Sequence, residues 1–160
     1  AWYRQLTGES LGKEYDLTGT RLFAGITPTV SMGSVDLHSV AQLYLGGPFD
    51  KVTTFISVQK KQHEFLIGKN EMIHKLLGVS HEKPCSVIYD ALLLGTKEAY
   101  KKNKRPFMSL ILPEKTAYTL GQLLQIYMIE IVYLGFLLRI NPFDQPNVEL
   151  YKKEARYFLG

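Results

Sequence analysis

Apolar and polar positions along the chain change period several times, and each change marks an element. Over residues 51–59, Val52, Thr54, Ile56 and Val58 alternate with Thr53, Phe55 and Ser57, which is strand grammar with β-branched side chains on both faces, as in a buried sheet. Residues 107–112 form a continuous apolar strand bounded by Pro106 and Pro113. Residues 23–30 are short and rich in β-formers, but Pro28 limits them to a ragged or edge strand. Residues 65–67 read as a further short strand or turn.

Between these runs the spacing becomes helical. Trp2, Tyr3 and Leu6 share one face of a helix tail over residues 1–9 that Gly8 and Gly12 bring to an end, and residues 17–21 are a polar loop. Ser34 is placed to cap a helix from Val35 to about Leu45, closed by Gly46-Gly47-Pro48. Ser86 caps an amphipathic helix over residues 87–101, on which Ile88, Ala91, Leu92, Gly95, Ala99 and Lys102 follow one another at helical spacing. Thr119 can cap the longest helix, which ends at Ile140. Residues 120–140 are apolar enough to suggest a membrane, but Gln122, Gln125, Glu130 and Arg139 interrupt them, and Glu130 would lie near the bilayer centre at high cost. A helix buried by its neighbours is the expectation.

Strands alternating with helices imply βαβ units and a mainly parallel sheet covered on both faces, an α/β fold in three α/β/α layers. Three firm strands are few for a doubly wound sheet, so upstream elements are expected to be missing. Ala1-Trp-Tyr-Arg4 likewise reads as the interior of a segment, with neither an initiator methionine nor a basic leader before it. The expectation is a single domain, residues 1–160, excised from a larger protein.

Composition adds exclusions. With 160 residues, 46% of them hydrophobic, the chain can bury a core, which argues against disorder. The net charge of +4 comes largely from Lys101, Lys102, Lys104 and Arg105 at one helix end, where cations complement the dipole, so nucleic acid is not called for. Cys85 has no second cysteine to pair with, which fits a reducing, cytoplasmic setting. His63, His74 and His81 lack metal-ligand spacing with Cys85 or with one another. The chain has no nucleophile elbow, P-loop or dinucleotide fingerprint either, so neither a metal nor a cofactor is expected.

Three residues stand where local electrostatics could make them chemical. Glu9 lies near a helix C-terminus, where the dipole destabilises a carboxylate and so strengthens it as a base; the competing reading is an exposed glutamate in a Gly/Ser turn. His38 lies in the first turns of its helix, where the dipole favours neutral imidazole, and the competing reading is a surface or capping histidine. Lys152 follows Asn141-Pro-Phe-Asp-Gln-Pro-Asn, in which Pro142 stops one helix, Pro146 suits the first turn of the next, and Asp144 or Gln145 falls near the N-cap. The dipole and Arg156 both oppose a cation there, and Lys152 borders the stripe of Val148, Ala155 and Leu159, while Lys153 has Glu149 four residues before it as an ordinary surface partner. A depressed pKa is therefore expected for Lys152, against the alternative of a snorkelling surface lysine.

Three stretches together resemble the C-terminal half of bacterial-type glucose-6-phosphate isomerases, also called phosphoglucose isomerases. They are Gly8-Glu-Ser-Leu-Gly-Lys13, Gly33-Ser-Val-Asp-Leu-His-Ser39 with Gln42-Leu-Tyr-Leu-Gly-Gly-Pro48, and Asn141-Pro-Phe-Asp-Gln-Pro-Asn-Val-Glu-Leu-Tyr-Lys152. The likeness runs over essentially the whole chain, in the same order and spacing. It implies a sugar-isomerase (SIS-type, flavodoxin-like) fold and an aldose–ketose isomerase that converts glucose 6-phosphate to fructose 6-phosphate through a cis-enediol(ate). Glu9 would move the proton between carbons. His38 and Lys152 would open the ring, with their division of labour open, and Gln5 and Gln145 would bind sugar hydroxyls or phosphate. The resemblance also implies a homodimer in which His38 serves the neighbouring subunit's site, with a sugar phosphate as the small-molecule partner and neither nucleic acid nor membrane. The alternatives are a non-catalytic sugar-phosphate-binding module of the same fold and an enzyme that also accepts mannose 6-phosphate.

The departures from the family pattern carry expectations of their own. Many relatives have glycine at Asn147, and asparagine tolerates the same left-handed turn. The family's Ser/Thr-rich phosphate loop and enediolate-stabilising arginine should precede Ala1, since Arg4 and Arg21 do not match that arginine's motif. The chain alone is therefore expected to be inactive or nearly so.

Overall fold

The computed structural model of the chain describes residues 1–61, 63–66, 68, 71–72, 75 and 83–160, so Ile67, His74 and His81 lie outside the described residues. The elements in chain order are α1 (Trp2–Leu11), β1 (Lys13–Tyr15), β2 (Arg21–Ala24), a 3-10 turn (Asp36–His38), α2 (Val40–Gly46), β3 (Thr53–Val58), α3 (Cys85–Lys102), β4 (Phe107–Leu112), α4 (Ala117–Leu137) and α5 (Val148–Leu159). They form two compact units, Ala1–Val30 with Leu120–Gly160 and, separately, Ser31–Thr119.

The first unit closes on Leu11, Ile131 and Ile140, with Tyr3, Leu6, Ala24, Leu134 and Leu138 packed around them. Burying each of the three central side chains contributes about 1.5–3 kcal/mol. Ile131 and Leu134 lie on one face of α4, and Leu138, just past its end, continues that stripe. The other faces of α4 depart from the expected burial, with Tyr133, Phe136 and Leu137 exposed while Tyr127 is buried. α4 is long and apolar enough to cross a membrane by length and composition. Its mid-helix Glu130, however, accepts a hydrogen bond from the Tyr3 hydroxyl at 3.2 Å, and the Tyr3 and Tyr127 rings lie 4.4 Å apart, so α1 supplies the carboxylate with a partner.

α4 ends at Leu137, short of the expected Ile140, because Arg139 adopts a left-handed conformation with φ 59°. The amide of Arg139 then donates to the Phe136 carbonyl and that of Ile140 to Gly135, the paired closure of a Schellman motif, here built on a residue that is not glycine. The reversal buries Ile140 and lays Pro142 on Gly135, where an added Cβ would lie 2.9 Å from two Pro142 carbons. Leu17 N–H donates to the Arg139 carbonyl, tying the β-hairpin to this turn.

The hairpin corrects the expected edge strand at residues 23–30. β2 covers Arg21–Ala24 and pairs antiparallel with β1, which no periodicity announced because it has only three residues. Asp16 sets the register: its carboxylate accepts from the Thr18 hydroxyl and from the amides of Thr18 and Thr20, and these bonds, the hydroxyl foremost, hold its pKa below the usual value.

In the second unit β3 and β4 pair in parallel from Thr53↔Phe107 to Val58↔Leu112, with α3 in the connection, as an α/β chain requires. Tyr100 of α3 is 3% exposed and, with Phe55 and Phe107, forms an aromatic cluster with centroid separations of 5.2 to 6.0 Å that fastens the helix to the sheet. Ser86 is not the cap of α3; Pro84 holds that position, and the Ser86 amide is taken by Glu64. Nor does Thr119 cap α4. Thr116 precedes the helix and accepts from the Thr119 amide, while Thr119 accepts the Thr116 amide in return, a reciprocal box with threonine where glutamate is usual. Arg105, read from sequence as part of a solvated basic end, instead donates to the Leu45, Gly47 and Pro48 carbonyls. It thereby satisfies the orphan acceptors at the end of α2.

Gly135→Ala should lower stability by about 1–3 kcal/mol in urea or thermal unfolding, because the new methyl must displace Pro142. Gly8→Ala, where a Cβ meets nothing within 4 Å, should instead be neutral or stabilising.

A second expectation is alkaline. Burial, reinforced by Glu130, pushes the Tyr3 hydroxyl from 10.0 up to about 12. Between those values the folded chain keeps a proton that the unfolded chain has lost, so this stabilisation is complete below pH 10 and disappears as pH rises towards 12. Tyr3→Phe should lose less stability than the parent over that range, by on the order of 1 kcal/mol once the ring's partial exposure is allowed for.

Candidate functional site

Glu9 lies in the last turn of α1, as its sequence position implies, with its side chain exposed. Helical spacing places Gln5 one turn earlier on the same face, and the Gln5 Nε2 donates to Glu9 Oε1 at 3.0 Å. These two expected site residues are brought together. The other carboxylate oxygen of Glu9 takes no bond from a described residue.

Sequence reasoning assigned no role to the cation just beyond the helix. Lys13, 5% exposed, is the one charged residue in the buried class among the described residues. Gly12 leaves the helix in an extended conformation, and Lys13 Nζ then returns to donate to the Glu9 carbonyl at 2.9 Å and to the Asp144 carbonyl at 2.7 Å, with the Asp144 carboxylate 3.7 Å away. Burial lowers the Lys13 pKa, and Asp144 opposes that shift. The available signal was the place of Lys13 four residues after Glu9 at a helix end, where carbonyls lack partners. The acceptor 131 residues away left no mark in the local pattern.

The turn that Lys13 grips is internally braced. Asn141 Oδ1 accepts the Phe143 amide and its Nδ2 donates to Asp144, an Asx turn that fixes the carbonyl direction. Asn147 is the residue before α5, not Asp144 or Gln145, and it makes no side-chain cap bond. It also departs from the left-handed expectation, since its φ of −73° and ψ of −20° are right-handed, and its side-chain amide donates to Glu14 of β1 at 3.3 Å. Gln145 is exposed, and its carbonyl receives the Val148 amide.

Lys152 reverses its expected electrostatics. Its ammonium donates to Glu149 at 2.7 Å, and that hydrogen bond, followed by the carboxylate's charge, raises its pKa; the depressed value expected from the dipole and Arg156 does not occur. The four-residue spacing pairs Glu149 with Lys153 in the sequence, but in the structure Glu149 reaches Lys152 at three residues' spacing. Val148 and Lys152 are the half-buried positions of α5, whereas Ala155 and Leu159 of the expected stripe are exposed.

In the second unit, the helix expected over residues 35–45 is divided. Asp36 accepts the Met32 amide at 2.6 Å and turns residues 36–38 into a 3-10 segment, and α2 begins only at Val40. His38 therefore precedes α2 and lies outside its first turns. It is exposed, and its imidazole makes no hydrogen bond to a described residue. A hollow of about 620 Å³ in this unit is bordered by Met32, Leu37, Phe55, Lys61, Tyr89 and Asp90, without His38. In the first unit a cleft of about 140 Å³ lies between Lys13, Glu14, Asp144 and Asn147. It is smaller than the roughly 300–1,000 Å³ usual for ligand pockets.

The family model for phosphoglucose isomerase matches residues 1–159. A glucose-6-phosphate isomerase of Carboxydothermus hydrogenoformans is 37% identical over 159 residues, 99% of this chain and 34% of that protein. A probable glucose-6-phosphate isomerase of Methanococcus maripaludis is 36% identical, with 99% and 33% covered. The chain thus spans about a third of the length of the curated relatives it matches. Among solved structures, a hypothetical protein from Thermus thermophilus superposes with a TM-score of 0.89 at 33% identity, covering 99% of this chain and 37% of that one. A glucose-6-phosphate isomerase from Chlamydia trachomatis, at 22% identity and a TM-score of 0.76 over 99% of this chain and 31% of that one, shares the fold.

The Lys152 geometry has a direct check. In a pH titration followed by NMR of the lysine side chains, its amine should titrate above an ordinary lysine and move back down in Glu149→Gln. Titration below the ordinary value in the parent chain would restore the depressed assignment.

Proposed function

The chain belongs to the phosphoglucose isomerase family, and from that premise we propose that the protein interconverts glucose 6-phosphate and fructose 6-phosphate. The observation that carries the reading is the exposed Glu9 carboxylate on the last turn of α1, with Gln5 on one oxygen and the other free of described partners. A base for a carbon acid needs that combination: one oxygen held for orientation and one available to the proton. In the proposed reaction the free oxygen takes the proton from C2, and the C–H electrons form the C1–C2 double bond of a cis-enediolate as the aldehyde oxygen takes up the charge. The hydroxyl proton on O2 then passes to O1, and as the carbonyl re-forms at C2 the electrons of the C1–C2 double bond take the proton from Glu9 at C1, leaving a hydroxyl on C1 and the carboxylate free again. Hydrogen moves between two carbons of one molecule, so the step calls for no redox cofactor.

Ring opening comes first and needs a proton taken from the anomeric hydroxyl and one given to the ring oxygen. His38 is the proposed proton carrier, because imidazole changes charge near neutrality and this one is exposed without a hydrogen-bond partner among the described residues. Lys152, whose proton Glu149 helps to retain, is proposed as a cationic donor to sugar oxygens and not as a base. Gln5, with donors beyond the one given to Glu9, and Gln145 are proposed to bind hydroxyls or phosphate. The proposed assembly is a homodimer in which His38 serves the neighbouring copy. The proposed setting is the reducing cytoplasm, in keeping with a chain whose only cysteine is Cys85.

Glu9→Gln, made in the protein at its full natural length, should reduce isomerase turnover and solvent exchange of the C2 proton by about 10²–10⁴-fold while the KM for sugar phosphate changes little. Turnover equal to the parent's would remove Glu9 from the role of base.

A further inference from the structure

Lys13 is costly as a packing residue and uncommon as a helix cap. Taking an ammonium out of water is costly unless well-placed acceptors offset the lost hydration. Here the side chain is 5% exposed, and its short contacts go to two main-chain carbonyls, Glu9 at 2.9 Å and Asp144 at 2.7 Å. Among the described residues the carboxylate paired with it is that of Asp144, which stands farther off at 3.7 Å and is half exposed. The ammonium is therefore used chiefly to fasten backbone to backbone. Those two pieces of backbone are the last turn of α1, which displays Glu9, and the turn immediately before Gln145, which leads into α5 and Lys152.

We propose that Lys13 is a positioning residue: its buried ammonium latches the Glu9 turn to the Asp144 carbonyl, so that the base keeps one spacing from Gln145 while the proton moves between carbons. The inference rests on the isomerase reading of Glu9. The latch acts at both ends. At α1 it fills the carbonyl of Glu9 itself, so any change in the bond moves the Cα that carries the base. At the other end it holds a turn whose direction Asn141 has already fixed through Phe143 and Asp144. Asn147 adds a second tie on the same side by donating to Glu14, the residue after Lys13 in β1. With the strand start and the turn joined twice, the remaining freedom lies in the α1 end, and the Lys13 bond to Glu9 removes it. A methionine would fill the same volume without joining the two carbonyls, whereas an arginine would keep the charge and the donors.

The test uses the protein at its full natural length, with glucose 6-phosphate as substrate. Lys13→Met, or Lys13→Gln if the first does not fold, should lose roughly a hundredfold in kcat, the scale expected for about 1 Å of misplacement, with KM within about threefold of the parent. Lys13→Arg should recover at least about tenfold of that loss, which a merely space-filling role would not produce. The proposal is overturned if a folded neutral variant keeps kcat within about threefold, if kcat and KM move together, or if arginine does no better than methionine. It is overturned equally if none of the three variants folds, since Lys13 would then belong to the fold alone. Glu9→Gln run beside them separates the two ideas: an active Glu9→Gln removes the isomerase reading, whereas an inactive Glu9→Gln with a fully active Lys13→Met removes only the latch.

Discussion

A buried ammonium needs acceptors on more than one side, and that requirement shapes the first unit more than any single apolar contact. Lys13 draws the end of α1 and the turn after α4 to one point because a cation in that position must have both carbonyls. The hydrophobic core and the latch then reinforce each other. Leu11 and Ile140, both 0% exposed, lie within a few residues of the two segments that Lys13 joins, so packing orders the backbone that the ammonium needs. Pro142 seated on Gly135 fixes where the chain leaves α4, and Asn141 turns the Asp144 carbonyl into reach. The polar contact does not replace the apolar ones; it fixes the direction in which they close.

The second unit meets a related demand with different chemistry. α2 is short and ends in Gly46-Gly47-Pro48, so it leaves carbonyls without amide partners. Arg105 supplies its planar fork to Leu45, Gly47 and Pro48 and rests its guanidinium 4.5 Å from the centre of the Phe49 ring. It follows α3 and precedes β4, so it ties the α2 end to the parallel sheet. His38 is thus carried on a segment anchored at its far end and shaped at its near end by Asp36.

How much of this was legible in the sequence depends on the range of the forces involved. The strand between Pro106 and Pro113 was read to the residue, because two prolines and a continuous apolar run act within the segment itself. α3 and the C-terminal placement of Glu9 were legible for the same reason. Caps were less so: serine at 86 and threonine at 119 each satisfy the local rule, and the choice of Pro84 and Thr116 was made by the path of the chain before the helix. β1 could not be read at three residues, and its existence depends on Asp16 closing the turn. Arg105 and Lys13 were illegible in role though visible in place. Arg105 reads in the sequence as a cation at a helix end and Lys13 is assigned no role there, and what decides each is an acceptor 57 to 60 residues away in one case and 131 in the other. The Lys152 error was of another kind. Glu149 can reach a lysine three or four residues on, and the preference for four chose the wrong partner.

Lys13 and Lys152, both in the first unit, show how exposure, more than charge, separates a lysine that holds backbone from one open to a ligand. Lys13 has surrendered its water and both of its short bonds go to the main chain, so it cannot turn to a substrate without leaving a buried charge unpaired. Lys152 keeps its water and leans on a single exposed carboxylate. A sugar hydroxyl or phosphate oxygen approaching it competes with a partner that solvent already screens, and such pairs exchange at little cost. Glu149 therefore does two compatible things. It helps to keep the proton on the lysine, and in the proposed site it would yield its place to an oxygen of the substrate. A cation of that kind suits a reaction in which negative charge appears briefly on sugar oxygens and must be met without being bound too tightly to leave.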